Sequence, residues 1–254
     1  MTIKEQHLNE GNKNQNNFAN IEETLVNSAY KSKGFDKIPP IIGIIIANQY
    51  GNTLMILEHD SDENSNYRPI KAYITQDTSF LEVDLISMYF SSLKVFATQT
   101  NIQNLSHLEI YGSNIKIQIN FLFNKYMIII FLNSNANLSP IEKENIMNYL
   151  KRILIRYKYE FTNFNASNSI QVITDLEKKG KRWLESLNRA YIQTYKNLHL
   201  RKHHVIEKFM NKLGPMIERD LIEYLKHIPE ETLYNLSKEI KNKIQDQLFE
   251  FSLK

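Results

Sequence analysis

The chain has 254 residues, no cysteine, and 31 basic against 28 acidic side chains. The lack of cysteine excludes disulfides, thiolate metal sites and cysteine nucleophiles, and a net charge of +3 is too small to indicate a nucleic-acid-binding protein. The longest apolar run, residues 126–132, is far shorter than the ~20 residues of a membrane-spanning helix. We therefore expect a cytoplasmic protein whose contact with membranes is at most peripheral.

The first 37 residues are rich in Asn, Gln, Lys and Glu. They contain too few apolar side chains to offset the entropy lost on ordering, so this composition predicts a disordered tail. A short helix over residues 21–26 is compatible with that tail. Pro39 and Pro40 then favour extended chain.

Two strands are predicted next, over residues 41–47 and 53–57. The first is β-branched almost throughout and apolar on both faces, which is typical of a central strand covered on both sides. Gly51 and Asn52 provide the turn, since both tolerate positive φ. Alternation over residues 70–74 allows one further short strand.

An amphipathic helix follows. Residues 79–82 (Ser-Phe-Leu-Glu) match a capping box, the signature of a helix N-terminus. Large apolar side chains then recur at helical spacing, which predicts a helix whose apolar stripe belongs to the core rather than to a ligand pocket. The stripe consists of Ile86, Tyr89, Phe90, Leu93, Phe96 and Ala97.

Three strands and a second helix complete the first part of the chain. The predicted strands cover residues 105–111, 115–123 and 126–132, with a tight turn at Asn124-Lys125 and an apolar, central last strand. Ser139 is the predicted N-cap of the helix, Pro140 occupies its first position and Glu142 closes a capping box.

Beyond Asn168 the pattern is helical to the end of the chain. Gly214-Pro215 and Pro229 are predicted to interrupt it. The sequence thus divides into a tail (1–37), a sheet domain (38–164) and a helical region (165–254). We predict an α+β fold, in which a five-stranded antiparallel sheet is packed between helices and followed by an all-α C-terminal region.

The order strand, glycine turn, strand, helix, three-stranded meander and long helix resembles a longin-like domain of the longin/roadblock superfamily, similar in architecture to profilin. The segments that carry the resemblance are IIGIIIANQYGNTLMIL, the helix around residues 86–97, and YMIIIFLNSN before SPIEKENIMNYLKRIL. The resemblance covers residues 38–164 and implies β-β-α-β-β-β-α order with the first and last strands side by side. It also implies a non-enzymatic platform, an adaptor or regulator of a small GTPase or of a vesicle-trafficking complex. Its partner would be such a GTPase or another longin/roadblock-like domain, and a homodimer is left open.

The second strand is the predicted partner-binding segment. Its apolar side chains alternate over both faces, and an edge strand offers unpaired backbone groups that a partner strand can extend. A further strand at residues 70–74 would instead cover this edge. The segment consists of Thr53, Leu54, Met55, Ile56 and Leu57.

A polyanion site is the alternative function, with nucleic acid or an anionic membrane as the partner of a helical module on a dimerising sheet domain. Clustered cations beside Trp183 could contact phosphates and stack a base. Interleaved acidic residues dilute this charge, so the alternative ranks second. The candidate residues are Lys178, Lys179, Lys181, Arg182, Arg201 and Lys202.

Catalytic, cofactor and metal sites are not expected. The seven glycines form neither of the common phosphate-binding patterns, so the protein should not itself be a GTPase. His199, His203 and Glu207 have the spacing of metal ligands on one helix face, but without further partners a solvated helix face is the better interpretation. The sequence also lacks a nucleophile elbow for serine catalysis.

Overall fold

The computed structural model describes residues 31, 33–59, 67–74, 83–102 and 105–252, with side chains as far as residue 248. The predicted helix at 21–26 and the capping box at 79–82 lie outside these residues. The described residues divide into two compact units, one from residue 31 to 192 and one from 193 to 252. Within the described ranges no helix is long and apolar enough to cross a membrane.

The first unit contains a five-stranded antiparallel sheet. The strands are β1 (Ile41–Asn48), β2 (Thr53–Glu58), β3 (His107–Tyr111), β4 (Ile115–Leu122) and β5 (Tyr126–Asn133). Their order across the sheet is β2-β1-β5-β4-β3. The first and last strands are therefore neighbours, which confirms the predicted α+β fold and its strand arrangement.

Helices cover both faces of this sheet. α1 (Lys71–Ile74) and α2 (Val83–Gln99) follow β2, whereas α3 (Pro140–Arg156), α4 (Lys158–Thr162) and α5 (Ser167–Tyr224) follow β5. β1 and β5 are buried along almost their whole lengths because their side chains enter two cores. One core includes Ile86 and Phe90 of α2, and the other Leu150 of α3 and Leu184 of α5.

Local sequence signals account for most element boundaries. Ser139 Oγ accepts the N–H of Glu142, and the Glu142 carboxylate accepts the N–H of Ser139, so the predicted capping box is confirmed. The β4–β5 hairpin turns at Phe123 and Asn124, which have φ of 53° and 51°. The Lys125 N–H donates to the Leu122 carbonyl at 3.0 Å, so Phe123 and Asn124 are the central residues of the turn, which lies one residue earlier than predicted. A turn of this kind needs positive φ at both central positions.

Two predictions of local structure are wrong. Residues 71–74 form a helical turn instead of a strand, since Pro69 and Ile70 supply carbonyls to the N–H groups of Ala72 and Tyr73. Gly214-Pro215 does not end α5, which continues for 58 residues to Tyr224. Proline disfavours a helix interior, but Pro215 is exposed and Gly214 packs against Lys241 of the last helix.

The first part of α5 belongs to the sheet unit. Asn188 of this helix is buried, and its amide accepts the N–H of Ile41 at 2.8 Å and donates to the Ile41 carbonyl at 2.8 Å. Gly180 lies so close to β2 that an added Cβ would approach Leu57 Cδ2 to 2.3 Å. The unit also begins before the predicted boundary, because Phe35 is fully buried.

The second unit is a pair of helices. The C-terminal part of α5 is followed by α6 (Glu230–Ser252), which begins directly after Pro229, as predicted. Lys241 of α6 forms an ion pair with Glu218 of α5. Three of its apolar side chains are buried, namely Ile206, Met210 and Leu233.

Candidate protein-binding surface

The outward side of α2 carries five large apolar side chains that are exposed. Its exposed fractions are 48% for Leu85, 54% for Met88, 60% for Tyr89, 53% for Val95 and 60% for Phe96. At about 100° per residue, these five side chains lie on the side of α2 that points away from Ile86 and Phe90. We call these five residues the α2 surface.

The position of α2 is fixed by a close approach to the β1–β2 turn. Gly51 has a φ of 88°, and a Cβ at this position would lie 2.6 Å from Met88 Cα. Thr53 Oγ1 and Ser87 Oγ are 3.0 Å apart, and Ser91 Oγ donates to the Gln49 carbonyl at 2.6 Å. These contacts seat the polar positions of α2 on the turn and leave its apolar outer positions uncovered by other described residues.

The edge strand β3 is the second component of the surface. Within the described part of the chain β3 pairs with β4 alone, and Tyr111 at its end is 71% exposed. An edge strand presents backbone N–H and C=O groups that a further strand can pair with. The sheet unit therefore has an edge strand that no second described strand pairs with, as well as an exposed apolar helix.

A polar cluster lies between β3, β4 and α3. Glu109 accepts hydrogen bonds from Tyr111 Oη and from Gln118 Nε2, the latter at 2.7 Å, and His107 Nε2 lies 3.2 Å from Glu109 Oε1. The hydrogen bond from Tyr111 is the main cause of the lowered pKa of Glu109, with contributions from His107 and Lys143. These contacts join three residues of β3 to Gln118 of the neighbouring strand β4.

β2, the predicted partner-binding strand, is also at an edge of the sheet but is largely covered. Leu54, Met55 and Leu57 are 6% or less exposed, and the N–H of Ile56 donates to Glu177 Oε1 of α5 at 2.9 Å. Partner binding at Thr53–Leu57 stays a prediction, restricted to the backbone that α5 leaves accessible. A Met55→Lys substitution would not test partner binding at β2, because Met55 is 1% exposed and a lysine there would disturb the core.

The polyanion candidates fall into two groups, one in each compact unit. Lys178, Lys179 and Arg182 are exposed on the part of α5 that packs on the sheet, whereas Arg201 and Lys202 belong to the helical unit. Lys181 lies near Glu177, and Trp183 stacks on Tyr149 at a centroid distance of 4.0 Å. The polyanion site also stays a prediction, with one ring face of Trp183 already occupied.

Metal binding has no support within the described ranges, where no group of three His, Asp or Glu side chains could hold an ion. His199 and His203 are half-buried rather than solvated. Burial is the main cause of the lowered pKa of His199, followed by the charges of His203 and Lys202.

The α2 surface was missed by sequence reasoning, which placed Tyr89 and Phe96 in the core. A signal for it is present in the sequence, because Leu85, Met88 and Val95 lie off the predicted stripe and make the helix apolar on most of its circumference. Apolar side chains over most of a helix's circumference are typical of a buried helix, whereas five of those on α2 are exposed.

The element order, the strand order and the helices on both faces of the sheet agree with the longin-like architecture that the sequence resembles. No protein-family model and no curated protein matches the chain. Several solved structures do. Gliding protein MglB from Thermus thermophilus is 5% identical with a TM-score of 0.29, over 44% of this chain and 73% of that chain.

Two further similar structures carry the same protein name. Myxococcus xanthus MglB is 9% identical with a TM-score of 0.32, over 52% of this chain and 97% of that chain. An MglB structure with a tetrameric arrangement is 6% identical with a TM-score of 0.29, over 67% of this chain and 92% of that chain.

Proposed function

We propose that this protein is a non-enzymatic binding platform that pairs with a second longin-like domain, in the simplest case a second copy of itself, through the α2 surface and the β3 edge. The observation that carries the proposal is the set of five large apolar side chains exposed on one side of α2. A group of large exposed apolar side chains on one side of a helix is typical of an interaction site.

The β3 edge supports the same interface. β3 and α2 lie at the end and on one face of the same sheet, and strand addition supplies directional hydrogen bonds while the helix supplies apolar area. Pairing of identical edges is self-complementary, as a two-fold symmetric dimer requires.

The regulated partner is a small GTPase in this proposal. That part rests on the resemblance of the domain to longin-like platforms. The described surface contributes only the capacity to hold a folded protein, and vesicle trafficking is one setting in which such a platform would act.

Analytical ultracentrifugation of the full chain tests the pairing. We expect a concentration-dependent dimer that Phe96→Asp weakens at least tenfold, because one buried charge at an interface costs more than about 1.4 kcal/mol. Ile155→Asp is the matched control, since Ile155 is 65% exposed on α3, on the opposite face of the sheet. A monomer at all concentrations, or equal effects of the two variants, would contradict pairing through α2.

Nucleotide-dependent capture tests the GTPase. The full chain, immobilised and incubated with native lysate containing GTP or GDP, should retain a small GTPase preferentially in one nucleotide state. Retention that is equal in both states, or retention of nucleic acid instead, would contradict this assignment and return attention to the basic residues of α5.

A further inference from the structure

The outward side of α3 and α4 carries basic residues around an apolar centre. Residues 145–159 contain four basic side chains and no acidic one. Two large apolar side chains of the same stretch are exposed, Ile155 at 65% and Tyr159 at 74%. The four cations are Lys151, which is half-buried, and the exposed Arg152, Arg156 and Lys158. We call these six residues the α3–α4 surface.

Helical geometry places the two apolar side chains between the cations. The N–H and the carbonyl of Tyr157 both bond to groups four residues away, so α3 and α4 share one helical register across their junction. At about 100° per residue, Ile155 and Tyr159 lie only about 40° apart around the helix. They point away from the buried side chains that enter the core. One flank of the pair consists of Lys151 and Lys158, and the other of Arg152 and Arg156.

The charge of these cations is not neutralised by described carboxylates. Within the described part of the chain none of the four forms an ion pair with an acidic side chain. Arg156 lies over the ring of Tyr157, 5.7 Å from its centroid. Glu160, the next acidic residue along the chain, is half-buried and lies about 140° around the helix from Ile155. The surface therefore has an uncompensated positive charge.

The neighbouring stretch of α5 does not cancel this charge. Trp183 of α5 stacks on Tyr149 of α3, so the two helices are adjacent there. Residues 175–185 of α5 contain four basic and three acidic side chains. The surroundings of the α3–α4 surface are therefore weakly positive rather than acidic.

The combination of cations and exposed apolar side chains fits an anionic membrane. Anionic headgroups attract Lys and Arg that lie near the membrane surface. Apolar and aromatic side chains on the same helix face gain by entering the boundary between headgroups and acyl chains. A nucleic acid would use the cations through its phosphates but would leave Ile155 exposed to water.

We propose that the α3–α4 surface docks the protein on an anionic membrane, with Ile155 and Tyr159 in the headgroup region and the four cations beside the lipid phosphates. α3 packs on one face of the sheet and α2 on the other. Membrane docking and pairing through α2 therefore use different surfaces, and docking does not depend on the function proposed above.

Flotation of the full chain with vesicles tests the docking. The protein should float with vesicles of equimolar phosphatidylcholine and phosphatidylglycerol but not with phosphatidylcholine alone, and sodium chloride should weaken binding because it screens exposed charges. The double variant Arg152→Glu/Arg156→Glu should bind the anionic vesicles about tenfold more weakly or worse.

The matched control is the double variant Lys208→Glu/Lys212→Glu. It makes the same change in net charge at the same four-residue spacing, on exposed positions of α5 in the helical unit. It should retain most of the binding. Absence of binding to anionic vesicles, equal binding to both vesicle types, or an equal loss in the two double variants would overturn the proposal.

Substitution of the apolar pair distinguishes a membrane from a soluble polyanion. Ile155→Ser/Tyr159→Ser should weaken vesicle binding about tenfold or more, because apolar insertion is lost, and should leave any affinity for a single-stranded oligonucleotide unchanged. Both side chains are exposed, so circular dichroism should show a folded protein. Unchanged vesicle binding would contradict insertion and indicate a soluble polyanion as the partner.

An environment-sensitive label reports which face of the protein meets the membrane. Because the chain has no cysteine, Tyr159→Cys provides a single attachment site for an NBD fluorophore, and Tyr89→Cys on α2 is the control. With anionic vesicles the label at position 159 should become brighter, since the headgroup region excludes much of the water, whereas the label at position 89 should not change. A response at position 89 alone, at both positions equally, or at neither would overturn the proposal.

Discussion

The two edge strands of the sheet, β2 and β3, differ in which other elements of the chain contact them. β2 is flanked by α5, which places Glu177 on the N–H of Ile56 and Gly180 against Leu57. β3 has β4 on one side and no described strand on the other, and a hydrogen bond from Gln118 of β4 to Glu109 joins these two strands. An edge strand is open to a partner only if no helix of its own chain reaches it, and that depends on contacts remote in sequence.

The largest difference in stability is expected between two methionine-to-lysine substitutions, one in β2 and one in α2. Met55 in β2 is 1% exposed and Met88 in α2 is 54% exposed. Met55→Lys should lower the free energy of unfolding by about 3–5 kcal/mol, because it buries a charge without a partner. Met88→Lys should stay within about 0.5 kcal/mol and weaken pairing. Urea denaturation measures both, and similar losses would show that Met88 is buried or that β2 is open.

The hydrogen bond of Glu177 to β2 should contribute less to the free energy of unfolding than the burial of Met55, but measurably. Glu177→Ala leaves the N–H of Ile56 without its acceptor and should cost about 1–2 kcal/mol in the free energy of unfolding. Glu177→Gln retains an acceptor oxygen and is the matched control. If Glu177→Ala and Glu177→Gln lower the free energy of unfolding equally, the hydrogen bond to Ile56 does not hold α5 against β2.

The pH dependence of stability should report the same contact. Burial is the main cause of the raised pKa of Glu177, opposed by the Ile56 N–H and Lys181. A carboxyl whose pKa is higher in the folded state stabilises the protein fully below the unfolded value and loses this contribution as the pH rises through the folded value. Relative to Glu177→Gln, the wild type should therefore lose stability as the pH increases above 4.5. An identical pH profile in both proteins would contradict a half-buried Glu177.

The smallest effect is expected at the open edge. Tyr111→Phe removes the hydrogen bond that contributes most to the lowered pKa of Glu109, so this pKa should rise toward 4.5 in an NMR titration of the side-chain carboxyl carbon. Tyr50→Phe, an exposed change in the β1–β2 turn, is the control. A Glu109 pKa that does not move would assign the shift to His107 and Lys143.

Element order was predictable because its signals are local. The double-sided apolar runs of β1 and β5 require burial on both faces, and the Ser139–Glu142 capping box defines the start of α3 within four residues. The wrong prediction at Gly214-Pro215 concerns a site in contact with a residue distant in sequence. The Gly214-Pro215 pattern predicts a helix end, but α5 continues through it, and Gly214 packs against Lys241 of α6.

The candidate surface was the part that local signals described least well. Tyr89 and Phe96 repeat at the same spacing as Ile86 and Phe90, and periodicity alone does not decide which of these side chains faces the sheet. The decision is made by Gly51, which brings the β1–β2 turn against Met88 and sets the rotation of α2.

The sequence by itself determined the α+β class, the order of the strands along the chain, both central strands and the N-terminal cap of α3, because these depend on side-chain periodicity and on backbone preferences over a few residues. Tertiary structure decided which edge stays open, which side of α2 is exposed and how much of the helical region joins the sheet. These features depend on contacts such as Asn188 with Ile41, across 147 residues of chain, whose geometry no local pattern encodes.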